Sequence, residues 1–182
     1  LLWESSDTSR KRKFTLRAIK HSRTWVGTDT HLANHLVERA VNEGLIPEFR
    51  NAELVQREPM IRTGCRFDFL FRDARGDLFI EVKSAMVAER GTAQFPDSLS
   101  PRATAHLREL TKLATAGHRA CLLFVIQRGD VQQMQINHDR DPVFSRAFKR
   151  AAAAGVQVLA VKHAVTISGF GVPVAVPVLS GD

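Results

Sequence analysis

The sequence is poor in cysteine and has no long apolar run, and both absences narrow the class of protein. Cys65 and Cys121 are the two cysteines among 182 residues, too few for a disulfide framework or a cysteine-based zinc site. No apolar stretch approaches the roughly 18 residues that a membrane-spanning helix needs. The N-terminus also lacks the basic-then-apolar leader of a signal peptide. We therefore expect a cytoplasmic protein that does not bind membranes.

Several motifs of common enzyme classes are missing as well. The sequence has no glycine-rich phosphate loop and no nucleophile elbow of the Gly-x-Ser-x-Gly type. The composition, 44% hydrophobic and 25% charged, is that of a globular domain. Its length fits one domain with a small appendage. Because the first residue is Leu, we expect residues to precede it in the complete protein.

Positive charge is concentrated near the N-terminus. The formal net charge is +7, and residues 1–26 alone carry seven basic and two acidic side chains. Because cations that neutralise phosphates release condensed counterions, such a segment favours polyanions. The alternative is a solvated basic strand without a partner. The predicted nucleic-acid contacts in this segment are Arg10, Lys11, Arg12, Lys13, Arg17 and Lys20.

Three helices are predicted from apolar periodicity and capping signals. Ser100-Pro101 and Asp141-Pro142 each place an N-cap residue before a proline at the first helical position. The predicted helices run from Thr28 or Asp29 to about Asn42, from Ser100 to Gly117 and from Asp141 to Gly155.

Strands are predicted between these helices. They cover most of 1–26 and then 52–56, 66–72, 78–83, 86–88, 92–95, 120–127 and 156–161. The continuous apolar run at 120–127 suits a central strand that is buried on both faces. Pro173 and Pro177 limit the C-terminal tail to the edge of a sheet. The order predicts an α/β fold with a mixed sheet flanked by helices.

The stretch RFDFLFRDARGDLFIEVK, residues 66–83, predicts a hairpin whose apolar side chains determine its register. Three phenylalanines of the first strand would face three aliphatic residues of the second on one face, pairing Phe67, Phe69 and Phe71 with Val82, Ile80 and Leu78. The same register places Asp68 opposite Glu81 on the other face, with Lys83 beside Glu81.

Opposed carboxylates repel each other in a sheet, so something must offset the repulsion. A shared proton would do so by raising one pKa. A divalent cation would do so too, and oxygen ligands suit Mg²⁺ or Mn²⁺. Lys83 could then hold a metal-bound water or a phosphate oxygen. The alternative is a surface hairpin with a loose salt bridge between Glu81 and Lys83.

The Asp68…Glu81-x-Lys83 arrangement resembles that of the PD-(D/E)XK nuclease superfamily. From residue 26 onward the chain resembles the sugar fermentation stimulation protein A family. The stretches that carry this resemblance are LANHLVERA (32–40), RFDFLF (66–71), FIEVKSAMVAERGTAQFPDS (79–98), RATAHLREL (102–110) and DPVFSRAFKRAAAAGVQVLAV (141–161).

The resemblance implies two domains and a function. Residues 1–26 would be the remnant of an N-terminal OB-like domain, and residues 27–182 a PD-(D/E)XK nuclease-like domain. The implied function is DNA binding without strong sequence preference, linked to the regulation of sugar metabolism. RNA remains open as a ligand.

The implied site is a magnesium-dependent phosphodiesterase centre. Asp68 and Glu81 would hold the metal, Lys83 would position or activate water, and Glu38 would belong to the same site. Arg102 and His106 would contact the nucleic acid, although core packing is an equal alternative for His106.

The chain departs from the family pattern at two places. The first helix carries Glu38 followed by Arg39 where the family has two adjacent acids. Before His106 the family has Arg-Gly-x-Lys, but this chain has RATA from Arg102 to Ala105. A DNA-binding regulator with an inactive nuclease-like site is therefore the alternative function. His31 and His35 have the spacing of a metal-binding pair, but without a third ligand we expect them to be exposed.

Overall fold

The computed structural model describes residues 1–4, 6, 9, 11 and 13–180. Arg10 and Arg12, two of the predicted nucleic-acid contacts, lie outside the described residues. The helices are α1 (His31–Asn42), α2 (Pro101–Thr115) and α3 (Pro142–Ala153), with a 3₁₀ turn at Pro47–Phe49. In the described part of the chain, no helix has the length and apolar character needed to cross a bilayer.

The strands are short except in the middle of the chain. In chain order they are β1 (Leu2–Glu4), β2 (Phe14–Leu16), β3 (Ala18–His21), β4 (Thr24–Gly27), β5 (Glu53–Arg57), β6 (Met60–Arg62), β7 (Cys65–Arg66), β8 (Phe69–Asp73), β9 (Gly76–Ser84), β10 (Val87–Glu89), β11 (Thr92–Phe95), β12 (Arg119–Ile126), β13 (Gln133–Ile136), β14 (Gln157–Lys162), β15 (Val165–Thr166), β16 (Gly169–Phe170), β17 (Val174–Ala175) and β18 (Val178–Leu179).

Six strands form the central sheet in the order β17-β14-β12-β9-β8-β5. β9, β12 and β14 are parallel neighbours, whereas β8, β5 and β17 pair antiparallel. Parallel neighbours need crossover connections, and α2 and α3 lie in the connections from β9 to β12 and from β12 to β14. The predicted α/β fold with a mixed sheet flanked by helices is therefore confirmed.

Helices cover both faces of this sheet. Alternate residues of β12 enter two separate cores: Leu122, Phe124 and Ile126 pack in the core shared with α2 and α3, and Cys121, Leu123 and Val125 in the core shared with α1. β12 is therefore buried on both faces, as its continuous apolar run predicts.

A smaller sheet extends the core beneath α2 and α3. Its strand order is β10-β11-β13-β18, and Met134 and Ile136 of β13 point into that core. The sequence did not predict β13. The tail occupies edge positions, with β17 at the edge of the central sheet and β18 at the edge of the smaller one, so the expected edge placement is confirmed.

The N-terminal residues form two antiparallel ribbons, β1 with β2 and β3 with β4. The Gly27 N–H donates to the Gln127 carbonyl at 2.8 Å and so ties β4 to the end of β12. A Cβ at residue 27 would lie 2.8 Å from the Cβ of Gln127, so this close approach requires glycine. The assignment of residues 1–26 to an OB-like domain stays a prediction.

Candidate active site

The hairpin of β8 and β9 has the predicted register along most of its length. The ladder pairs Phe69 with Ile80 and Phe71 with Leu78. The expected pairing of Phe67 with Val82 is wrong. Phe67 packs edge-on against His106 of α2, with ring centroids 6.0 Å apart, whereas Val82 lies in the core beneath α1.

The backbone around Asp68 explains this difference. Residues 65–66 pair with β6 instead of extending β8, so the alternation of side chains is interrupted before Phe69. The Asp68 N–H donates to the Ile80 carbonyl at 3.2 Å, and the Asp68 carbonyl accepts from the Glu58 N–H at 2.9 Å. Asp68 therefore lies beside β9 without being the ladder partner of Glu81.

The Asp68 carboxylate is held by two donors. Its Oδ2 accepts from the Val82 N–H and its Oδ1 from Asn34 Nδ2, each at 2.7 Å. Burial raises the pKa of Asp68 and the charge of Glu81 raises it further, while both hydrogen bonds and Lys83 act in the opposite direction. The charge of Glu81 thus acts on the pKa of Asp68 in the direction expected from two neighbouring carboxylates.

Glu81 is almost completely buried, at 2% exposure. Its Oε1 contacts both Lys83 Nζ and His106 Nδ1. Its Oε2 is buried and has no hydrogen-bond partner within the described residues. An unpartnered buried oxygen costs roughly 1–3 kcal/mol, and more when it is charged. A cation would satisfy this oxygen.

Lys83 lies on the same side of β9 as Glu81, as expected from their spacing. Its side chain is 17% exposed and that of Glu81 3%. The two residues therefore form a largely buried ion pair. The alternative expectation, a loose salt bridge on a surface hairpin, does not describe them.

α1 contributes Asn34 to this site. Glu38, the predicted site residue, lies one helical turn further along and pairs with Arg57 of β5, whose Nε donates to Oε2 at 2.9 Å. Sequence reasoning missed Asn34. Helical spacing places Asn34 on the same face as Glu38, but the sequence does not show that Asn34 contacts Asp68.

α2 contributes His106 and Arg102. His106 is 6% exposed and lies against Glu81. Arg102 is exposed and lines an open cleft of about 510 Å³ together with Arg62, Arg66 and His106. The cleft therefore carries three arginines and includes the histidine that contacts Glu81.

The other predicted nucleic-acid contacts lie in the N-terminal ribbons. Lys11, Lys13 and Lys20 are exposed. The Arg17 guanidinium stacks over the Trp3 ring at 4.2 Å and lies 3.8 Å from the Asp29 carboxylate. Arg17 is therefore engaged by its own chain, while the three lysines are open to solvent.

The described residues hold no group of three or more His, Cys, Asp or Glu side chains placed to bind a metal ion. His31 and His35 are both exposed, as expected. A metal at Asp68 and Glu81 would thus have two protein carboxylates. That number fits Mg²⁺, which binds through one or two carboxylates, keeps several waters and takes substrate phosphates.

Comparison with known proteins places this chain in one family. The model of the sugar fermentation stimulation protein RE domain matches residues 31–169. The sugar fermentation stimulation protein homolog of Brucella ovis is 36% identical over 181 residues, which cover 97% of this chain and 76% of that protein. The homolog of Agrobacterium fabrum is 38% identical over 167 residues, which cover 91% and 70%.

A solved structure agrees with these relatives. The structure of Pyrococcus furiosus SfsA in complex with Ca²⁺ matches with a TM-score of 0.91 and 28% sequence identity, covering 97% of this chain and 76% of that one. The family model spans most of the chain, and the relatives match nearly its full length. The chain therefore belongs to the sugar fermentation stimulation protein family.

Proposed function

We propose that this protein is a divalent-metal-dependent nuclease with a site of the PD-(D/E)XK type. The observation that carries the proposal is Glu81 Oε2, a buried carboxylate oxygen without a partner in the described structure, on the strand where the Asp68 carboxylate accepts from the adjacent Val82 N–H. Two carboxylates in this setting are the donors that a hard divalent cation prefers.

Asp68 and Glu81 would hold Mg²⁺ or Mn²⁺. The bound ion would polarise a phosphate oxygen and lower the pKa of a water. Asn34 and the Val82 N–H keep the Asp68 carboxylate oriented. Lys83 would donate to the phosphate or orient the attacking water. The Ca²⁺ in the Pyrococcus furiosus structure supports a divalent ion here, because Ca²⁺ and Mg²⁺ share the preference for oxygen ligands.

The proposed substrate is DNA, bound through its phosphates. Arg62, Arg66 and Arg102 line a cleft that also includes His106, which contacts Glu81, and the chain as a whole carries a net charge of +7. Phosphate contacts position a protein without reading sequence, so binding should be largely non-specific. The family is named for the stimulation of sugar fermentation, and we propose that DNA binding connects the protein to the regulation of sugar metabolism.

A DNA-binding regulator with an inactive site is the second candidate. It is favoured by the engagement of Glu38 with Arg57, which leaves the site without a third acid, and by the contact of Lys83 with Glu81.

Plasmid nicking distinguishes the two functions. We expect nicking that requires Mg²⁺ or Mn²⁺ and falls roughly 10²- to 10⁴-fold in Lys83→Ala, the range for loss of a residue that takes part in proton transfer. Lys149→Ala, which removes an exposed lysine of α3, should leave the rate unchanged. Metal-independent nicking, or nicking that persists in Lys83→Ala, would contradict the mechanism. Binding without nicking would favour the regulator.

A further inference from the structure

One carboxylate oxygen at the site has two donors. Glu81 Oε1 contacts both Lys83 Nζ and His106 Nδ1. Because the carboxylate accepts, the imidazole Nδ1 must carry the hydrogen. The Lys83 side chain is 17% exposed and that of His106 7%, so Lys83 is the donor with a route to solvent.

The His106 ring is fixed by its surroundings. It lies edge-on to Phe67 at an interplanar angle of 81°, and its neighbour in sequence, Leu107, is completely buried in the core beneath α2. A side chain packed in this way can keep one hydrogen bond while a more exposed partner moves.

The proposed reaction requires such an arrangement. When the Lys83 ammonium turns its donors toward a phosphate or a water, its contact with Glu81 Oε1 weakens. With Lys83 alone, a shift of its ammonium would leave Oε1 of a buried carboxylate without a donor, which is unfavourable. With His106 in place, Oε1 stays bonded.

We propose that His106 is a positioning residue that holds Glu81 Oε1 and thereby releases Lys83 to the substrate phosphate. His106 itself does not touch the substrate, which differs from the nucleic-acid contact expected from the sequence. The release of Lys83 rests on the proposed nuclease function, whereas the sharing of one oxygen by two donors does not.

A double-mutant cycle tests the sharing without any need for activity. In metal-free buffer we expect His106→Ala and Lys83→Ala each to lower the melting temperature modestly, because the other donor remains. The double variant should lose more than the sum of the two shifts, or fail to fold although both single variants fold. In a Glu81→Gln background, which removes the shared charge, the same two changes should become additive. Additive shifts in the parent background would overturn the inference.

The chain contains a matched control. Glu109 Oε1 also takes two donors, Arg62 Nε and Lys112 Nζ, both at 3.0 Å, but these side chains are 55% and 70% exposed. Water can replace either donor there, so Arg62→Ala and Lys112→Ala should show little coupling.

Nicking and metal binding test the release of Lys83. His106→Ala should lower kcat by roughly 10- to 100-fold, as expected for a residue that orients a metal ligand. The rise in melting temperature on adding Ca²⁺ should persist. His106→Asn should recover most of the rate, because its side-chain amide can replace Nδ1 as the donor. Loss of rate without rescue by His106→Asn would overturn the release. If the parent does not nick DNA, the nuclease proposal and the release of Lys83 both fail. The double-mutant cycle would still decide whether Lys83 and His106 share Glu81 Oε1.

Discussion

The two carboxylates of the site differ in how their oxygens are satisfied. Both oxygens of Asp68 accept hydrogen bonds, whereas Glu81 has one oxygen in contact with Lys83 and His106 and one with no partner in the described structure. Asp68 is therefore held in place by neutral donors, and its charge is less well compensated than that of Glu81. This difference allows a prediction about removing the charge of Asp68 while keeping its hydrogen bonds.

Asp68→Asn should leave the melting temperature unchanged or raise it in metal-free buffer at neutral pH. The side-chain carbonyl of the substituted residue can accept from the Val82 N–H, and its amide can donate to Asn34 if the Asn34 amide flips. Both hydrogen bonds then survive while the repulsion by Glu81 disappears. In the parent, Mg²⁺ or Mn²⁺ should raise the melting temperature by mass action, and this rise should shrink in the variant. Thermal melts with and without metal measure both effects.

Asp68→Ala is the control, because it removes the charge and both hydrogen bonds. It should destabilise the fold by roughly 1–3 kcal/mol, the penalty for donors left without acceptors. If Asp68→Asn is as destabilising as Asp68→Ala and keeps the full metal response, Asp68 is a structural acceptor and the opposed-carboxylate account is wrong.

The sequence could reveal Asp68, Glu81 and Lys83 because they lie on one hairpin whose register follows a local apolar pattern. It could not reveal their partners. Asn34 is 34 residues from Asp68 and His106 is 25 residues from Glu81. Helical periodicity shows which residues share a face, but it does not show which strand that face packs against.

The long elements of the fold follow from local patterns for the same reason, and several short ones do not. α1, α2, α3 and β9 each repeat a periodic pattern, and β12 is a continuous apolar run. β13, β6 and β7 span only two to four residues, too few for a period to be recognised. The break between β7 and β8 depends on pairing with β6, which explains why Phe67 was assigned to the wrong face.

The starts of α2 and α3 were both predicted from a cap residue followed by proline. In the structure one aspartate, Asp141, joins these two helix starts. Asp141 Oδ1 accepts from the Val143 and Phe144 N–H groups of α3, and Oδ2 accepts from the Ser100 N–H at the start of α2. Asp141→Ala should therefore lower the free energy of unfolding by about 1–3 kcal/mol, combining a lost N-cap with a lost tie between helices. Urea denaturation would measure it.

Ser100→Ala is the matched control at the other helix. Within the described part of the chain the Ser100 side chain makes no capping hydrogen bond, and its backbone N–H remains after the substitution. We expect a change within about 0.5 kcal/mol. Equal losses in the two variants would show that the aspartate adds nothing beyond an ordinary cap.

For the whole molecule, the distribution of charge matters more than its total. The net charge is +7, of which residues 1–26 supply +5. Many arginines elsewhere in the described structure are paired with acids, as Arg57, Arg72 and Arg128 are. Lys11, Lys13 and Lys20 are exposed. Attraction for a polyanion should therefore come largely from the N-terminal segment, with the cleft contributing less because Arg62 and Arg66 pair with Glu109 and Glu58.

Replacing Arg10, Lys11, Arg12 and Lys13 together by Ala tests the N-terminal contribution. If all four contact phosphates, the slope of log K against log salt for duplex DNA should decrease by up to about 3.6, at roughly 0.9 per contact. Fluorescence anisotropy over a series of salt concentrations would measure the slope. An unchanged slope would mean that this run of cations faces only solvent.

Binding through phosphates also predicts weak discrimination between sequences. The cleft presents Arg62, Arg66 and Arg102 at its lining, and we expect these cations to contact phosphates, which carry no sequence information. In a competition assay at fixed salt, unrelated duplexes of equal length should displace a labelled duplex at similar concentrations. RNA competitors in the same assay would show whether the sugar matters. A preference of about a thousandfold for one duplex, the lower range for sequence-specific proteins, would refute non-specific binding, because phosphate contacts alone cannot produce it.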